Sequence, residues 1–160
     1  MPHWTDAYYG DLYFDSAADL LTPGLSAAEA GVIQGLLRVR PGARVLDLAC
    51  GHGRHAWPLA GEGFRVVGLE RSEPYLRRAA AGRAGGKGEP RWVRGDVRAL
   101  PLRPGSFDGA FSWYSSLFMF DDDVNARCLA ELGRTVRPGG RIVVQHANPL
   151  ALAKSPVDSS

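Results

Sequence analysis

The sequence is poor in cysteine and has no long apolar run, and each of these features argues against a class of protein. Its 160 residues include two cysteines, Cys50 and Cys128, too few and too far apart for a disulfide framework or a cysteine-based metal site. No segment approaches the roughly 20 apolar residues that a membrane-spanning helix needs. The first residues, MPHWTDAYYGDLYF, lack the pattern of a secretory signal. We therefore expect a cytoplasmic protein with free thiols, no bound metal and no membrane contact.

Lysine is almost absent, and the net charge is small. Lys87 and Lys154 are the only lysines, so arginine supplies the other basic charges, and the formal net charge is +2. A charge this small produces no basic field that would attract nucleic acid. The arginines between residues 77 and 103 fit a solvated helix face better than a phosphate-binding stripe. The composition therefore favours a small-molecule ligand and argues against nucleic acid as a partner.

Short apolar segments alternate with helix-forming segments along the chain. The predicted strands are 43–48, 64–69, 91–94, 107–113 and 141–146. The predicted helices begin at Ser26, Arg54, Ser72 and either Asp121 or Asp122. Short apolar strands separated by helices are typical of parallel sheets whose two faces are both covered. We predict an α/β fold: a doubly wound, mostly parallel, Rossmann-like sheet with helices on both faces and five visible strands.

Two local patterns give more specific expectations about where elements begin. Ser26 and Glu29 have the spacing of a capping box, which predicts that the first helix begins at Ser26. The stripe of this helix expected to face the core is Ala28, Val32, Ile33, Leu36 and Leu37. Further along the chain, the run Pro138-Gly139-Gly140 predicts a sharp turn before the fifth strand.

The segment 45–56, VLDLACGHGRHA, joins an apolar strand to a helix through two glycines. Gly51 and Gly53 allow a tight turn and let a ligand approach the backbone amides. Ligands of open parallel sheets bind beyond the carboxyl ends of the strands, where this turn is expected to lie. Glu70 and Asp96 end the next two predicted strands at the same edge. Their carboxylates are suited to accept hydrogen bonds from the ribose and the base of a nucleoside ligand.

These motifs, in this order, resemble the class I S-adenosylmethionine-dependent methyltransferases. The matching segments span residues 43–146 and are VLDLACGHGR, VVGLERS, RGDVRALPL, FDGAFSW and the RPGGR turn. The glycine pattern alone also fits a NAD-dependent oxidoreductase. However, Asp47 precedes Gly51 by four residues, as in methyltransferases, whereas dinucleotide enzymes usually place the first glycine directly after the strand. The resemblance implies S-adenosyl-L-methionine as cofactor and methyl transfer as the reaction.

The resemblance also implies a role for each residue at this edge. Asp47 would help to place the amino group of the methionine part of the cofactor, Glu70 would bind the ribose hydroxyls, and Asp96 would bind the adenine. The other implied contacts with the cofactor come from the backbone of Ala49, Gly51 and Gly53, from Arg71 and Val97 at the adenine, and from Ser112 at the end of the fourth strand.

Aromatic residues are the candidates for binding the methyl acceptor. The chain is interpreted as an aromatic cap or lid (1–25), a cofactor-binding domain (26–148) and a tail (149–160). The substrate-binding candidates are Trp113 and Tyr114, which follow the fourth strand, and Tyr9 and Tyr13 of the cap.

Two histidines, one at a strand end and one on the helix that begins at Arg54, are candidates for a catalytic base. His146, at the end of the fifth strand, is the first candidate, and His55 is the second. A base is needed only for a hydroxyl acceptor, because an unprotonated amine can react directly. The expected reaction is in-line transfer of the methyl group to nitrogen or oxygen of a small molecule.

The fourteen residues after His146 are too few for the helix and the antiparallel hairpin that complete the sheet in this family. The fifth strand is therefore expected to be an exposed edge that carries Ile142, Val143 and Val144. Because exposed edges favour pairing, a homodimer through this strand, or cover by the tail, is expected. Two alternatives stay open: the chain is a piece of a longer protein, or it is a cofactor-binding subunit without catalytic activity.

Overall fold

The computed structural model describes residues 21–82 and 88–148, whose strands form a five-stranded parallel sheet. The strands are β1 (Arg44–Leu48), β2 (Arg65–Glu70), β3 (Arg91–Arg94), β4 (Phe107–Ser112) and β5 (Val136–Val144). The helices are α1 (Pro23–Leu37), α2 (Ala56–Gly61), α3 (Glu73–Ala81) and α4 (Asp122–Thr135). The strand order is β3-β2-β1-β4-β5, and every neighbouring pair is parallel. The predicted fold class is confirmed.

From β1 to β3 the chain adds strands toward one edge of the sheet. After β3 it crosses back and continues on the other side of β1. β2 and β3 lie on one side of β1, whereas β4 and β5 lie on the other. Asp47 on β1 pairs in register with Gly68 of β2 and Phe111 of β4. The carboxyl ends of β1 and β4 therefore form the switch point, where open parallel sheets bind ligands.

Alternate side chains of β1 enter two apolar clusters on opposite faces of the sheet, as the two-residue period of a strand requires. Val45 packs with residues of α1 and α2, whereas Leu46 and Leu48 pack with Cys128 and Leu132 of α4. Because both faces carry an apolar cluster, helices are needed on both, and the expectation of two covered faces is confirmed.

The first helix begins three residues earlier than the capping box predicted. Thr22 is its N-cap, and the side chain of Thr22 accepts a hydrogen bond from the backbone amide of Leu25 at 3.2 Å. The hydroxyl of Ser26 lies inside the helix and donates to the carbonyl oxygen of Thr22. The capping-box prediction was wrong because Thr22 and Pro23 already supply the cap and the first-turn proline.

The buried stripe of α1 also differs from the predicted one. Ile33 and Leu37 are buried as predicted, together with Ala30, whereas Val32 and Leu36 are exposed. The face of the helix that meets the sheet therefore overlaps the predicted stripe only in part. This orientation brings Glu29 toward the residues that follow β1, as described below.

The run Pro138-Gly139-Gly140 lies inside β5 instead of forming a turn before it. Phe107 and Gly109 are two residues apart on β4, whereas the residues of β5 that pair with them, Val136 and Arg141, are five residues apart. Gly139 has φ of +79°, which a glycine adopts without strain. The prediction of a turn was wrong because the extra residues bulge out of a continuous strand.

β5 lies at the edge of the sheet formed by the described strands. Ile142 on this strand is 41% exposed. Self-association through this edge stays a prediction, since an edge strand offers unpaired backbone groups to any second strand.

The part of the chain that the structure describes has neither a candidate membrane span nor a candidate metal site. None of the helices within 21–82 and 88–148 is long and apolar enough to cross a membrane. The same part of the chain contains no group of three or more His, Cys, Asp or Glu side chains arranged to hold a metal ion.

Candidate functional site

A cavity of about 640 Å³ opens at the carboxyl edge of the sheet. Its volume lies within the range of about 300–1,000 Å³ that is typical of small-molecule sites. The wall includes Asp47 near the end of β1, Glu70 at the end of β2 and Asp96 just after β3. The three carboxylates that were expected at one edge therefore line one cavity.

The turn after β1 has the left-handed backbone that its glycines predicted. Ala49 has φ of 58°, Gly51 of 55° and Gly53 of 80°. Ala49 and Gly51 line the cavity, and the conformation of Ala49 is strained for a residue with a side chain. Gly53 is buried and is not among the described residues of the wall, because its open side faces the ring of Trp92. Gly53 therefore allows close packing against Trp92, and its expected contact with the cofactor stays a prediction.

Glu70 ties the turn after β1 to the end of β2. Its Oε2 accepts a hydrogen bond from the amide of Gly51 at 3.1 Å. Its Oε1 accepts from the amides of Arg71 and Ser72, both at 2.8 Å. A carboxylate has about four acceptor positions, so these three bonds leave capacity for a ligand hydroxyl.

Asp96 is held in place by Arg98. The guanidinium of Arg98 donates to Oδ1 of Asp96 at 2.8 Å and to Oδ2 at 2.6 Å. These hydrogen bonds lower the pKa of Asp96, so it is ionised at neutral pH. Nη1 of Arg71 lies 4.0 Å from Oδ2 of Asp96, and Val97, the next residue, also lines the cavity. The residues expected around an adenine are thus together.

Asp47 is almost fully enclosed, with 2% of its surface exposed. Its Oδ2 has no hydrogen-bond partner among the described residues, and the same holds for the hydroxyl of Ser112. Burial raises the pKa of Asp47 to about 8; the charge of Arg54 opposes this rise and that of Glu70 adds to it. The free protein therefore holds Asp47 largely protonated at pH 7.

Replacing Asp47 with asparagine is expected to remove a pH-dependent part of the stability. Folding raises the pKa of Asp47, so as pH rises the carboxyl loses its proton in the unfolded chain before it does so in the folded protein. The folded protein therefore loses stability between about pH 4 and pH 8. The loss is at most about 1.4 kcal/mol per pH unit. We expect the free energy of urea unfolding of the wild type, relative to Asp47→Asn, to decrease from pH 5 to pH 7.5.

Asp123→Asn, on the exposed first turn of α4, is the matched control for this experiment. Its stability should follow that of the wild type across the same pH range. A difference between wild type and Asp47→Asn that stays constant with pH would contradict the raised pKa.

A polar cluster that the sequence reasoning missed lies on the inner side of the cavity. Glu29 of α1 accepts hydrogen bonds from Nη1 of Arg54 and from Nε2 of His55, the second at 2.9 Å. Burial would raise the pKa of Glu29, but these bonds outweigh it and lower the pKa. The sequence carried no signal beyond the spacing from Ser26, which had suggested a capping role.

His55 is buried within this cluster and lies on the cavity wall. Burial and the charge of Arg54 lower the pKa of His55 to about 4, although the hydrogen bond to Glu29 opposes this shift. The ring is therefore neutral at pH 7, with its centroid 6.1 Å from Phe111 and 6.2 Å from Trp113. A histidine with so low a pKa is a weak base. The contacts of His55 with Glu29, Phe111 and Trp113 instead stabilise the cavity wall.

The loop after β4 presents aromatic side chains to the cavity. Trp113, Tyr114 and Phe120 belong to the wall, as expected for the first two. Tyr114, Ser115 and Phe118 have φ of 66°, 56° and 65°, so three residues with side chains adopt the left-handed conformation here. Such strain persists only where the surrounding structure holds it, and it concentrates at functional sites.

The structure does not bring every candidate residue to the cavity. His146 is exposed and is absent from the described lining; its ring contacts Phe118, with the centroids 5.5 Å apart. Ser112 is fully buried behind the wall. Tyr9 and Tyr13 lie outside the described residues.

A family model described as a methyltransferase domain matches residues 45–140, more than half of the chain. The chain belongs to the methyltransferase-domain family. The matched region contains the turn after β1 and the three carboxylates of the cavity, so the motif resemblance and the geometry point to the same family.

Three relatives illustrate the similarity of this methyltransferase domain. Demethylmenaquinone methyltransferase of Beutenbergia cavernae is 32% identical over 145 residues, which cover 89% of this chain and 58% of that protein. The structure of DesVI from Streptomyces venezuelae matches with a TM-score of 0.64 and 31% identity, over 76% of this chain and 51% of that one. A TehB-like SAM-dependent methyltransferase from Corynebacterium glutamicum matches with a TM-score of 0.67 and 25% identity, over 84% and 73%.

The methyltransferase domain therefore spans about three-fifths of the length of the curated demethylmenaquinone methyltransferase that it matches. Its cavity fits the cofactor of this family on three observations: its volume, the acceptor groups along one edge and the buried Oδ2 of Asp47 that lacks a partner among the described residues.

Proposed function

We propose that this methyltransferase domain binds S-adenosyl-L-methionine along the carboxyl edge of the sheet and supports methyl transfer to nitrogen or oxygen of a small molecule. The observation that carries the proposal is the convergence of Asp47, Glu70 and Asp96 on one cavity beside a left-handed turn. The cofactor supplies an activated methyl group on a sulfonium centre. The residues of this chain then have to bind the cofactor and the acceptor, orient them and exclude water.

The cofactor half of the cavity follows the order of the strands. Glu70 would accept a hydrogen bond from the ribose hydroxyls at the one acceptor position that its three amide partners leave. Asp96 would accept one from the adenine amine, with Val97 and Arg71 beside the base. Asp47 would accept one from the methionine amino group, and the backbone of Ala49 and Gly51 would line the sulfonium part.

The acceptor half is the aromatic wall that follows β4. Trp113, whose ring contacts that of His55, lies on this wall with Tyr114, Met119 and Phe120. Flat apolar side chains favour a flat, largely apolar acceptor. His55 is too weak a base to ionise a hydroxyl at neutral pH. Orientation of the acceptor in line with the methyl group is therefore proposed as the main source of rate acceleration.

The test begins with ligand-induced stabilisation. S-adenosylhomocysteine at a hundredfold excess over its Kd should raise the free energy of unfolding by about 2.7 kcal/mol, which is detectable as a higher melting temperature. NAD at the same concentration should leave it unchanged. Stabilisation by NAD without stabilisation by S-adenosylhomocysteine would contradict the proposal in favour of an oxidoreductase.

Turnover is tested by formation of S-adenosylhomocysteine, measured by mass spectrometry with a panel of amines, phenols and quinols. Quinone-type and hydroxylated compounds come first in the panel because relatives of this chain are named demethylmenaquinone methyltransferase and O-methyltransferase. Binding of the cofactor without turnover of any acceptor would instead support a non-catalytic subunit.

A further inference from the structure

The loop between β4 and α4 carries its aromatic side chains on an unfavourable backbone. Tyr114, Ser115 and Phe118 all have positive φ, a conformation that residues with a side chain rarely adopt. Tyr114 lies on the cavity wall although it is 46% exposed, so burial alone does not fix its position. Backbone strain of this kind persists only where neighbouring groups hold it. The groups that hold this loop therefore determine the shape of the wall.

The segment that follows β5 supplies these groups. Oε1 of Gln145 accepts a hydrogen bond from the amide of Tyr114 at 2.7 Å, and the carbonyl oxygen of Gln145 accepts one from the amide of Ser115 at 3.2 Å. The amide of Gln145 donates to the carbonyl oxygen of Ser112 at 2.9 Å. The amide of Ala147 donates to the hydroxyl of Ser115, also at 2.9 Å. Gln145 thus holds the loop through three hydrogen bonds, and the one to Tyr114 uses its side chain.

The ring of Tyr114 has a second anchor in Arg54. The Cζ atom of Arg54 lies 5.1 Å from the centroid of this ring, and Nη1 of Arg54 donates to Glu29. Tyr114 is therefore held at its backbone by Gln145 and at its ring by Arg54. A wall residue that is held at both ends loses little conformational freedom when a ligand packs against it, which favours binding.

We propose that Gln145 is a positioning residue, which fixes the aromatic wall for the methyl acceptor through the amide of Tyr114. The inference rests on the proposed function and deepens it, because it adds to the same site a residue outside the described wall. Without the side-chain oxygen of Gln145, Tyr114 relaxes to a less strained backbone and its ring leaves the wall. The cofactor half stays in place, because Glu70 and Asp96 lie at the ends of β2 and β3, on the far side of β1 from β5.

The experiment measures two affinities by isothermal titration calorimetry. S-adenosylhomocysteine reports on the cofactor half, and 1-naphthol, added to protein saturated with S-adenosylhomocysteine, reports on the acceptor half. Gln145→Leu should weaken binding of 1-naphthol about fivefold, because loss of one hydrogen bond lowers the binding-competent fraction of the wall by that factor. The same variant should bind S-adenosylhomocysteine within about twofold of the wild type, since the two halves are separate.

Three further variants separate positioning from a general loss of structure. Gln145→Glu keeps an acceptor oxygen and should bind 1-naphthol within about twofold of the wild type. Gln34→Leu makes the matched change at a glutamine of α1 that is not on the wall of this cavity, and it should bind both ligands as the wild type does. If Gln145→Leu does not fold, Ser115→Ala, which removes the acceptor of the Ala147 amide, takes its place and should weaken 1-naphthol alone.

A double-mutant cycle tests whether Gln145 acts through Tyr114. Tyr114→Gly removes the ring and relieves the backbone strain, so it should weaken 1-naphthol by itself. Adding Gln145→Leu to this variant should change the affinity no further. An equal effect of Gln145→Leu in both backgrounds would overturn the proposal.

The two affinities distinguish failure of this inference from failure of the proposed function. Equal weakening of both ligands by Gln145→Leu would show a purely structural role and overturn the inference, as would unchanged binding of 1-naphthol. Weak binding of 1-naphthol by Gln145→Glu would also overturn it. If the wild type binds S-adenosylhomocysteine but not 1-naphthol, the proposed cofactor site survives and this inference fails. If neither ligand binds, both fail.

Discussion

Replacing Glu70 with alanine is expected to weaken binding of S-adenosylhomocysteine about thirtyfold, since one charge-assisted hydrogen bond to a ribose hydroxyl is worth roughly 2 kcal/mol. The variant also removes the acceptor of the Gly51, Arg71 and Ser72 amides, which loosens the turn that lines the cavity. Isothermal titration calorimetry measures the change, with circular dichroism to confirm the fold.

Ligand and protein controls separate the ribose contact from the loss of the turn. The wild type should prefer 5′-methylthioadenosine to its 2′,3′-dideoxy analogue, and Glu70→Ala should lose this preference. Glu62→Ala, which changes a carboxylate after α2 that is not on the wall of this cavity, should bind like the wild type. If Glu70→Ala kept its preference for the ribose hydroxyls, the cofactor site would be wrongly placed.

Replacing Gly53 with alanine is expected to destabilise the fold by about 3 kcal/mol, combining left-handed strain of about 1 kcal/mol with overpacking of about 2 kcal/mol. Gly53 has φ of +80°, and an added Cβ would lie 3.0 Å from Cζ3 of Trp92 and closer still to its Cη2. Urea unfolding measures the loss. Because Trp92 packs against the core, the ring has little room to move away.

Gly42→Ala is the matched control, since Gly42 has φ of +92° but no described atom within 4 Å of an added Cβ. It should show the strain alone and cost about 1 kcal/mol. Trp92→Leu should cost less in the Gly53→Ala background than in the wild type, because it relieves the overlap. Equal losses for the two glycine variants would refute the packing role.

Local signals were sufficient for the elements that place the cofactor half of the site. Ser72 caps α3 as its sequence indicated, with proline in the first turn. The acids Asp47, Glu70 and Asp96 could be assigned to one edge because parallel strands all end on the same side of a sheet. Neither prediction depends on which residues that are far apart in the sequence come into contact.

The places where prediction failed depend on such distant contacts. The rotation of α1, which exposes Val32 and Leu36, depends on how the helix meets the sheet and not on its own periodicity. The catalytic role expected of His146 stays a prediction, but its position depends on the path of the chain after β5, which leaves it off the described cavity wall. The structure places its ring against Phe118 instead.

The sequence by itself determined the order of strands and helices, the glycine turn and the edge at which the acids gather, because short-range periodicity and backbone conformation are encoded locally. Only the tertiary structure decided that Glu29 would meet Arg54 and His55, 25 and 26 residues further along the chain, and that Gly53 would face Trp92. These pairings depend on the packing of whole elements against one another, and no local pattern of residues specifies that packing.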